Sequence, residues 1–372
     1  MNNQTVTGEI VVQRIFDLGG TINMAKAREK LSHFADKSAV LPFRNAPDYL
    51  SFAHPLTMNL DSLKLVIKNH GGNAVTPMAR LYGVGGLAIS LRIPLSCPAV
   101  KDIQAVASEP LIINGRLTES MQVAEEIFLL IEKELAGLHD ESFPEIVESE
   151  RYRSFILTTV PGSAEQLMRT ERNYVAALLI SDPNGERLSQ ENVEDITRNR
   201  HSYYTDDLVV VDWDAALVVE PEGKYEDLLY LFEVANLELL LLRKYDMYLD
   251  KVLNKGYDEY ELLLKGNPFM LRGSRDILAK LSEVRMDLAE VTDELDNVAK
   301  FFGDYYLARV FMSLSSKLHI TEYHRTVDEK LATLNDLYRS IVDYQETRQN
   351  LILEWAIVLL IVFEIVMAFV DH

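Results

Sequence analysis

Leu351–Val370 reads LILEWAIVLLIVFEIVMAFV, and only Asp371 and His372 follow it. Twenty helical residues rise about 30 Å, the hydrocarbon thickness of a bilayer. Fourteen of the twenty are Leu, Ile, Val or Phe. On an insertion scale they contribute on the order of −6 kcal/mol. Glu364, near the middle, opposes insertion by ~3 kcal/mol, and Glu354 lies closer to the interface and costs less. The balance predicts a transmembrane helix over 351–370, with Trp355 as its interfacial aromatic residue. A helix buried in a large soluble assembly is the competing interpretation. With so little chain after it, the segment is expected to insert as a tail anchor once synthesis ends. Lys330, Arg339 and Arg348 precede it and no Lys or Arg follows, which places the body on the cytoplasmic side. MNNQTVTGEIVV at the start lacks a basic region followed by an apolar stretch, so no secretory signal is expected there.

Working back from the anchor, the chain turns from polar helix to mixed structure. Val327, Leu331, Leu334, Tyr338 and Ile341 form a helical stripe that continues through Gln345 and Arg348 to Ile352. Before it lies a stricter repeat, with Leu281, Leu288, Leu295 and Phe302 at a positions and Ile277, Val284, Val291 and Val298 at d positions. Spacings alternate four and three throughout, as a coiled coil requires. Leu at a with β-branched residues at d shifts preference away from parallel dimers toward more strands. The two stripes are expected either to pair as a hairpin within one chain or to join copies of the chain. Residues 223–350 are therefore assigned to a helical, coiled-coil region. Its first helix, Tyr225–Leu253, carries a Leu-rich cluster at 237–242 that is apolar on every side and so belongs in an interior.

Residues 1–222 alternate between strand-like and helix-like patterns. Glu9–Phe16, Leu63–Asn69, Leu81–Ile93, Arg151–Val160, Tyr174–Ile180, Leu208–Trp213 and Ala215–Glu220 read as strands. Met24–Phe34, Ser120–Leu138 and Gln190–Arg198 read as helices. An acidic stretch at 140–150, with Asp140, Glu141, Pro144, Glu145, Glu148 and Glu150, reads as a linker between an α+β unit at 1–139 and a second at 151–222. The predicted fold class is α+β, followed by long C-terminal helices and one membrane span.

Composition narrows the functions available. The 372 residues are 48% apolar and 25% charged, which is a globular composition. A net charge of −20 and the absence of any Lys/Arg run argue against direct nucleic-acid binding. Cys97 is the only cysteine, so no internal disulfide or zinc–thiolate cluster is expected.

Chemistry-bearing motifs are sparse. None of the eight histidines pairs with another at helical metal-site spacing. Gly83-Val84-Gly85-Gly86 lacks the Lys-Ser/Thr of a phosphate loop and precedes a strand, so a bulge or tight bend accounts for it. Asp206, Asp207, Asp212 and Asp214 surround an apolar hairpin; the last pair would share a strand face, as divalent-ion ligands or as a solvated edge. No catalytic residues, metal ligands or cofactor are assigned. Glu364 is expected to face another helix and make an oligomer contact.

Phe301-Phe302-Gly303-Asp304-Tyr305-Tyr306-Leu307-Ala308-Arg309-Val310, then Val327-Asp328-Glu329-Lys330-Leu331, then Leu353-Glu354-Trp355 entering the anchor, resemble the Required for Meiotic Nuclear Division family. The stretch Gly303, Asp304, Tyr305, Tyr306, Leu307, Ala308 and Arg309 is similar to bacterial members. The resemblance covers roughly 225–370 and weakens toward the N-terminus. It implies a membrane-anchored protein that self-associates; eukaryotic relatives sit on the mitochondrial inner membrane and support organellar translation. Lacking an Arg-rich presequence, this chain is placed in a bacterial plasma membrane.

The functional expectation is a tail-anchored, homo-oligomeric scaffold presenting its α+β region to a cytoplasmic protein partner. The alternative is a membrane-attached enzyme or ligand sensor with a pocket in residues 1–222. A third and weaker interpretation makes Glu364 part of a conducting pore.

Overall fold

The computed structural model describes residues 5–34, 55–60, 65–69, 71–138, 149–264 and 305–370, with single positions between 277 and 289. The chain divides into two compact units. The first is Met1–Lys244 with Glu290–Glu322, and the second is Tyr245–Ala289 with Tyr323–His372.

The first unit is built on β1 (Val6–Asp17), a strand whose Val and Ile residues suit a pleated, buried surface. It pairs antiparallel with β5 (Gly86–Cys97) on one side and with β8 (Ser149–Thr159) on the other. Outward from β5 come β4 (Thr76–Leu81) and β2 (Leu56–Asn59). Outward from β8 come β11 (Ala215–Val219), β10 (Leu208–Val211) and the edge strand β9 (Arg200–His201), completing eight strands. Every pairing is antiparallel except β8 with β11, which are parallel. Two short helices, α1 (Met24–Lys30) and α2 (Ile103–Ala107), follow β1 and β5. The β8–β11 connection passes through α4 (Ala164–Thr170), α5 (Arg172–Leu179), α6 (Gln190–Ile196) and the strands β9 and β10, as a parallel pair requires a crossover. A small antiparallel sheet of β3 (Ile67–Lys68), β6 (Leu111–Ile113) and β7 (Arg116–Thr118) lies apart from the large one.

Alternation along β1 sorts its side chains between two apolar layers. Ile10, Val12 and Phe16 join a core with Val123, Ile127, Phe128 and Ile131 of α3 (Ser120–Leu135), and the Phe16 and Phe128 rings stack at 4.2 Å. Gln13 and Asp17 point the other way and bond to α7 (Glu226–Leu264). Both faces of the sheet are therefore covered. For that reason Leu208–Val211 and Ala215–Val219 are buried at every position and read as unbroken apolar runs. Leu228–Phe232 and Leu239–Leu242 are likewise buried all round the helix, as the Leu-rich cluster predicts.

Several expectations need correction. Residues 1–139 and 151–222 contribute to one sheet through the β1–β8 ladder, so they are not separate units. Helical chain from 223 onward is not a domain of its own either, because α7 up to Lys244 belongs with the sheet. Tyr174–Ile180, expected as a strand, lies in α5 and its C-cap. A short run that is buried on all sides carries no usable period, and Ala176-Ala177 tips the local preference toward helix. The single strand expected over Leu81–Ile93 is a hairpin, β4 turning into β5 at Gly83–Gly85. Gly85 has φ +91°, and a Cβ there would lie 2.1 Å from the Gly20 carbonyl oxygen. The glycine cluster thus serves a tight turn. Most of the acidic stretch at 140–150 lies outside the described residues, and β8 begins within it at Ser149.

In the second unit, α9 (Ile320–Val370) packs against the later turns of α7. Lys330 bridges Asp246 and Asp250 at 2.7 and 2.6 Å. Gly256 lets α7 approach Leu337 and Tyr338, where a Cβ would lie 2.8 Å from the Leu337 methyl. Val327, Leu331, Leu334, Tyr338 and Ile341 are all buried. The second stripe is therefore engaged within the chain from Val327 to Ile341, with α7 as one of its partners, whereas Ile352 further along it is 63% exposed.

Candidate functional site

The sheet layer beneath α7 carries a polar clamp in an apolar setting. Glu233 is fully buried and accepts hydrogen bonds from Tyr82 Oη at 2.6 Å, Arg80 at 2.8 Å and Gln13 Nε2 at 3.2 Å. Asp17, also buried, pairs with Lys244 at 2.8 Å. Burial pushes the Tyr82 phenol far above its ordinary value, and the Glu233 carboxylate adds to this. Burial works against the charge on Arg80, yet Glu233 and the neighbouring phenols drive its pKa upward. Nearer the start of α7, Arg92 forks onto both carboxylate oxygens of Glu226 at 2.7 and 2.6 Å. Burial opposes the Glu226 charge, but this fork holds the carboxyl below its usual range. These groups fix α7 on the sheet; the arrangement holds no exposed reacting atom.

At the far edge of the sheet, α8 (Tyr305–Lys317) lies against β9 and β10. Val310 and Leu314 are buried, His201 Nε2 meets Ser313 Oγ at 2.8 Å, and Lys317 pairs with Asp212 at 2.8 Å. Burial, together with nearby Arg309, lowers the His201 pKa. Covering β9 removes an exposed edge from the sheet. Thus Tyr305, Tyr306, Leu307, Ala308 and Arg309 of the singled-out motif open a helix that caps this edge. Gly303 and Asp304 lie outside the described residues.

The loop from β9 to β10 separates two clefts of unlike charge. One, of about 540 Å³, brings Asp206, Asp207, Glu220, Glu222 and Asp227 together with Tyr203, Tyr204 and Tyr306. Burial raises the Glu220 carboxyl pKa, and Asp207 and Glu222 add to it. Asp207 is not free for a metal ion, since both its oxygens accept backbone N–H groups of Tyr203 and Tyr204. Asp212 is held by Lys317, and the Asp214 carbonyl accepts from the Arg153 amide. Among the described residues no three His, Cys, Asp or Glu side chains converge as a metal site. The second cleft, of about 590 Å³, is lined by Arg169, Arg172 and Arg200. Sequence inspection missed it because its arginines come from α4, α5 and β9, with no run to betray them.

Among the described residues, α9 is the one helix long and apolar enough to cross a membrane, and none of its apolar window is buried. Trp355 is 67% exposed. Nothing is described of the Glu364 side chain. Of the heptad stripe, Leu281 and Val284 are buried and Ile277 is half-buried, whereas Leu288, Val291, Leu295, Val298 and Phe302 lie outside the described residues.

Fold and surface together define an α/β protein with a helix-sandwiched mixed sheet, extended by long helices whose end is apolar and uncovered. The chain belongs to the family described as uncharacterized protein MJ0711, N-terminal domain, whose model matches residues 7–226. That match runs from β1 to the first residue of α7 and so takes in the sheet, the hairpin turn and both clefts' β9–β10 loop. It is similar to the uncharacterized protein MJ0711 of Methanocaldococcus jannaschii, with 23% identity over 255 residues, covering 68% of this chain and 75% of that one. No solved structure matches.

Proposed function

We propose that this is a single-pass membrane protein that presents its helix-covered sheet as a non-enzymatic adaptor for cytoplasmic protein partners. One observation carries this reading. The apolar side chains from Leu351 to Met367 are between 44% and 67% exposed around the whole helix. An apolar surface of that extent is not stable in water and needs a lipid or protein cover. A helical segment apolar on every side, about as long as the hydrocarbon core of a bilayer is thick, is covered most completely by lipid.

The same reading places the body on the cytoplasmic side of a prokaryotic plasma membrane, as Lys330, Arg339 and Arg348 before the apolar stretch favour. It also holds that copies self-associate. The Val327–Ile341 stripe is occupied within the chain, so association falls to the heptad positions beyond Val284 and to Glu364. Clustered copies would bind a partner by avidity without any tight single contact. Membership of the Required for Meiotic Nuclear Division family, with a link to translation, is part of this proposal and rests on the motif around Tyr305–Arg309 and Leu353-Glu354-Trp355.

Alkaline carbonate extraction of cells making the full chain tests the anchor, and crosslinking in those membranes tests association. The chain should stay with the membrane pellet and give crosslinked multimers. A chain that stays in the supernatant as a monodisperse monomer would overturn the reading.

A further inference from the structure

We propose that the cleft between α4, α5 and β9 binds the phosphate monoester of a small organic molecule. This goes beyond the adaptor reading and does not depend on it.

Three guanidiniums, from Arg169, Arg172 and Arg200, line one cleft of about 590 Å³ in a chain of net charge −20. Among the described residues the only carboxylate in its lining, Glu165, is taken up by Arg169 at 2.5 Å. Arg172 is half-buried and held from behind. Its Nε donates to Thr197 Oγ1 at 2.7 Å, and that buried hydroxyl in turn donates to the Val193 carbonyl at 2.6 Å. This fixes the plane of the guanidinium while its two terminal nitrogens have no partner among the described residues. The Arg200 side chain also has none there, although its backbone is tied into the sheet opposite Val210. Cations without counter-ions repel one another, so bringing two of them to one cleft destabilises the unliganded protein unless an anion compensates.

The donor set narrows the ligand. Planar forks of N–H donors match the oxygens of phosphate, and Ser202 and Thr205 add hydroxyls at the same cleft. Two unpaired guanidiniums suit a dianion better than a single carboxylate. Met168 and Leu208 supply an apolar part of the lining, and Tyr204 an aromatic edge, so the ester group has somewhere to lie. The volume falls within the roughly 300–1,000 Å³ of small-molecule pockets and exceeds what inorganic phosphate needs. A soluble metabolite and the headgroup of a phosphomonoester lipid both carry this phosphate; the chemistry recognised is the same.

The test uses the full chain in a non-ionic detergent and isothermal titration with three probes: inorganic phosphate, adenosine monophosphate and dioctanoyl phosphatidic acid. At least one probe should bind, and Arg200→Ala should weaken it at least tenfold without lowering the melting temperature of the unliganded chain. Arg200→Lys should recover part of that loss, since a point charge replaces the fork. Adenosine monophosphate binding alone would assign a soluble ester, and phosphatidic acid binding alone a lipid headgroup; both support the site. No heat with any probe, or binding that Arg200→Ala leaves unchanged, would overturn it. Neither result bears on carbonate extraction, so failure of this site and failure of the membrane reading are separable.

Discussion

Arg80 on β4 and Glu233 on α7 meet at 2.8 Å across 153 residues of sequence, in a layer where Glu233 is completely buried. Removing either partner alone strands the other away from water. Glu233→Ala deprives Arg80, Tyr82 and Gln13 of their shared acceptor and leaves a buried cation. Such losses cost about 3–5 kcal/mol. We expect the variant to unfold at markedly lower denaturant concentration, measured by urea titration of the full chain in detergent. Replacing both, as Arg80→Met with Glu233→Leu, should recover much of the loss, because an apolar pair of similar volume leaves no charge uncompensated. A double variant as unstable as Glu233→Ala would show that the remaining partners, Tyr82 and Gln13, dominate.

His201 gives the sheet edge a pH dependence. Burial and Arg309 lower its pKa in the folded chain below the ordinary 6.5. Below that value the unfolded chain binds a proton that the folded chain refuses, so unfolding takes up protons and stability falls as pH falls. The loss begins near pH 6.5 and stops once pH passes below the folded value. At higher pH the group contributes no slope. His201→Gln should flatten the stability profile between about pH 7 and pH 5, read from thermal melts across that range. An unchanged slope would assign it to other groups.

These two predictions draw on features with unequal traces in the sequence. The span of β1, the burial of α7 and the apolar end of α9 are all legible, because each follows from a long, unambiguous pattern of side chains. A partial sign of the clamp is also present: Glu233, like Asn236 and Glu238, interrupts the buried apolar run of α7, and such a residue needs a partner. Which partner Glu233 finds is not legible, since the sequence reads as one strand from Leu81 to Ile93 and leaves Arg80 just outside it. The turn at Gly83–Gly85 is half legible: its glycines read as a bulge or tight bend, but not as the break between two strands. The arginine cleft leaves no local sign at all. Arg169, Arg172 and Arg200 converge only once the β8–β11 crossover has folded over, and net charge averages such a cluster away.

The second stripe provides a way to separate folding from association. Leu334 is fully buried within one chain, between Leu331 and Tyr338 on the same helical face. Leu334→Ala should therefore lower stability by about 2–5 kcal/mol, as large-to-small core changes do. The readout is thermal melting together with crosslinking at a temperature where the variant is still folded. Stability should drop while the crosslinked species stay the same. Loss of multimers without any change in melting would mean that this face joins copies of the chain instead.

Added charge tests whether the apolar end of α9 holds the chain in a membrane. Its Leu, Ile, Val and Phe residues favour insertion by about 6 kcal/mol, and Glu364 opposes with ~3 kcal/mol, so the margin is about 3 kcal/mol. Each arginine near the helix centre costs about 2.5–3.5 kcal/mol on the same scale. Leu359→Arg alone brings the balance close to zero, and Leu359→Arg with Val362→Arg exceeds the margin. Carbonate extraction should therefore leave the single variant divided between pellet and supernatant and move the double variant into the supernatant. As a control, Leu117 is equally exposed, at 63%, but sits on β7, in the first unit. Leu117→Arg should leave the pellet fraction untouched. If the double variant remains in the pellet, the segment does not hold the protein in lipid, and its exposed side chains must be covered by protein.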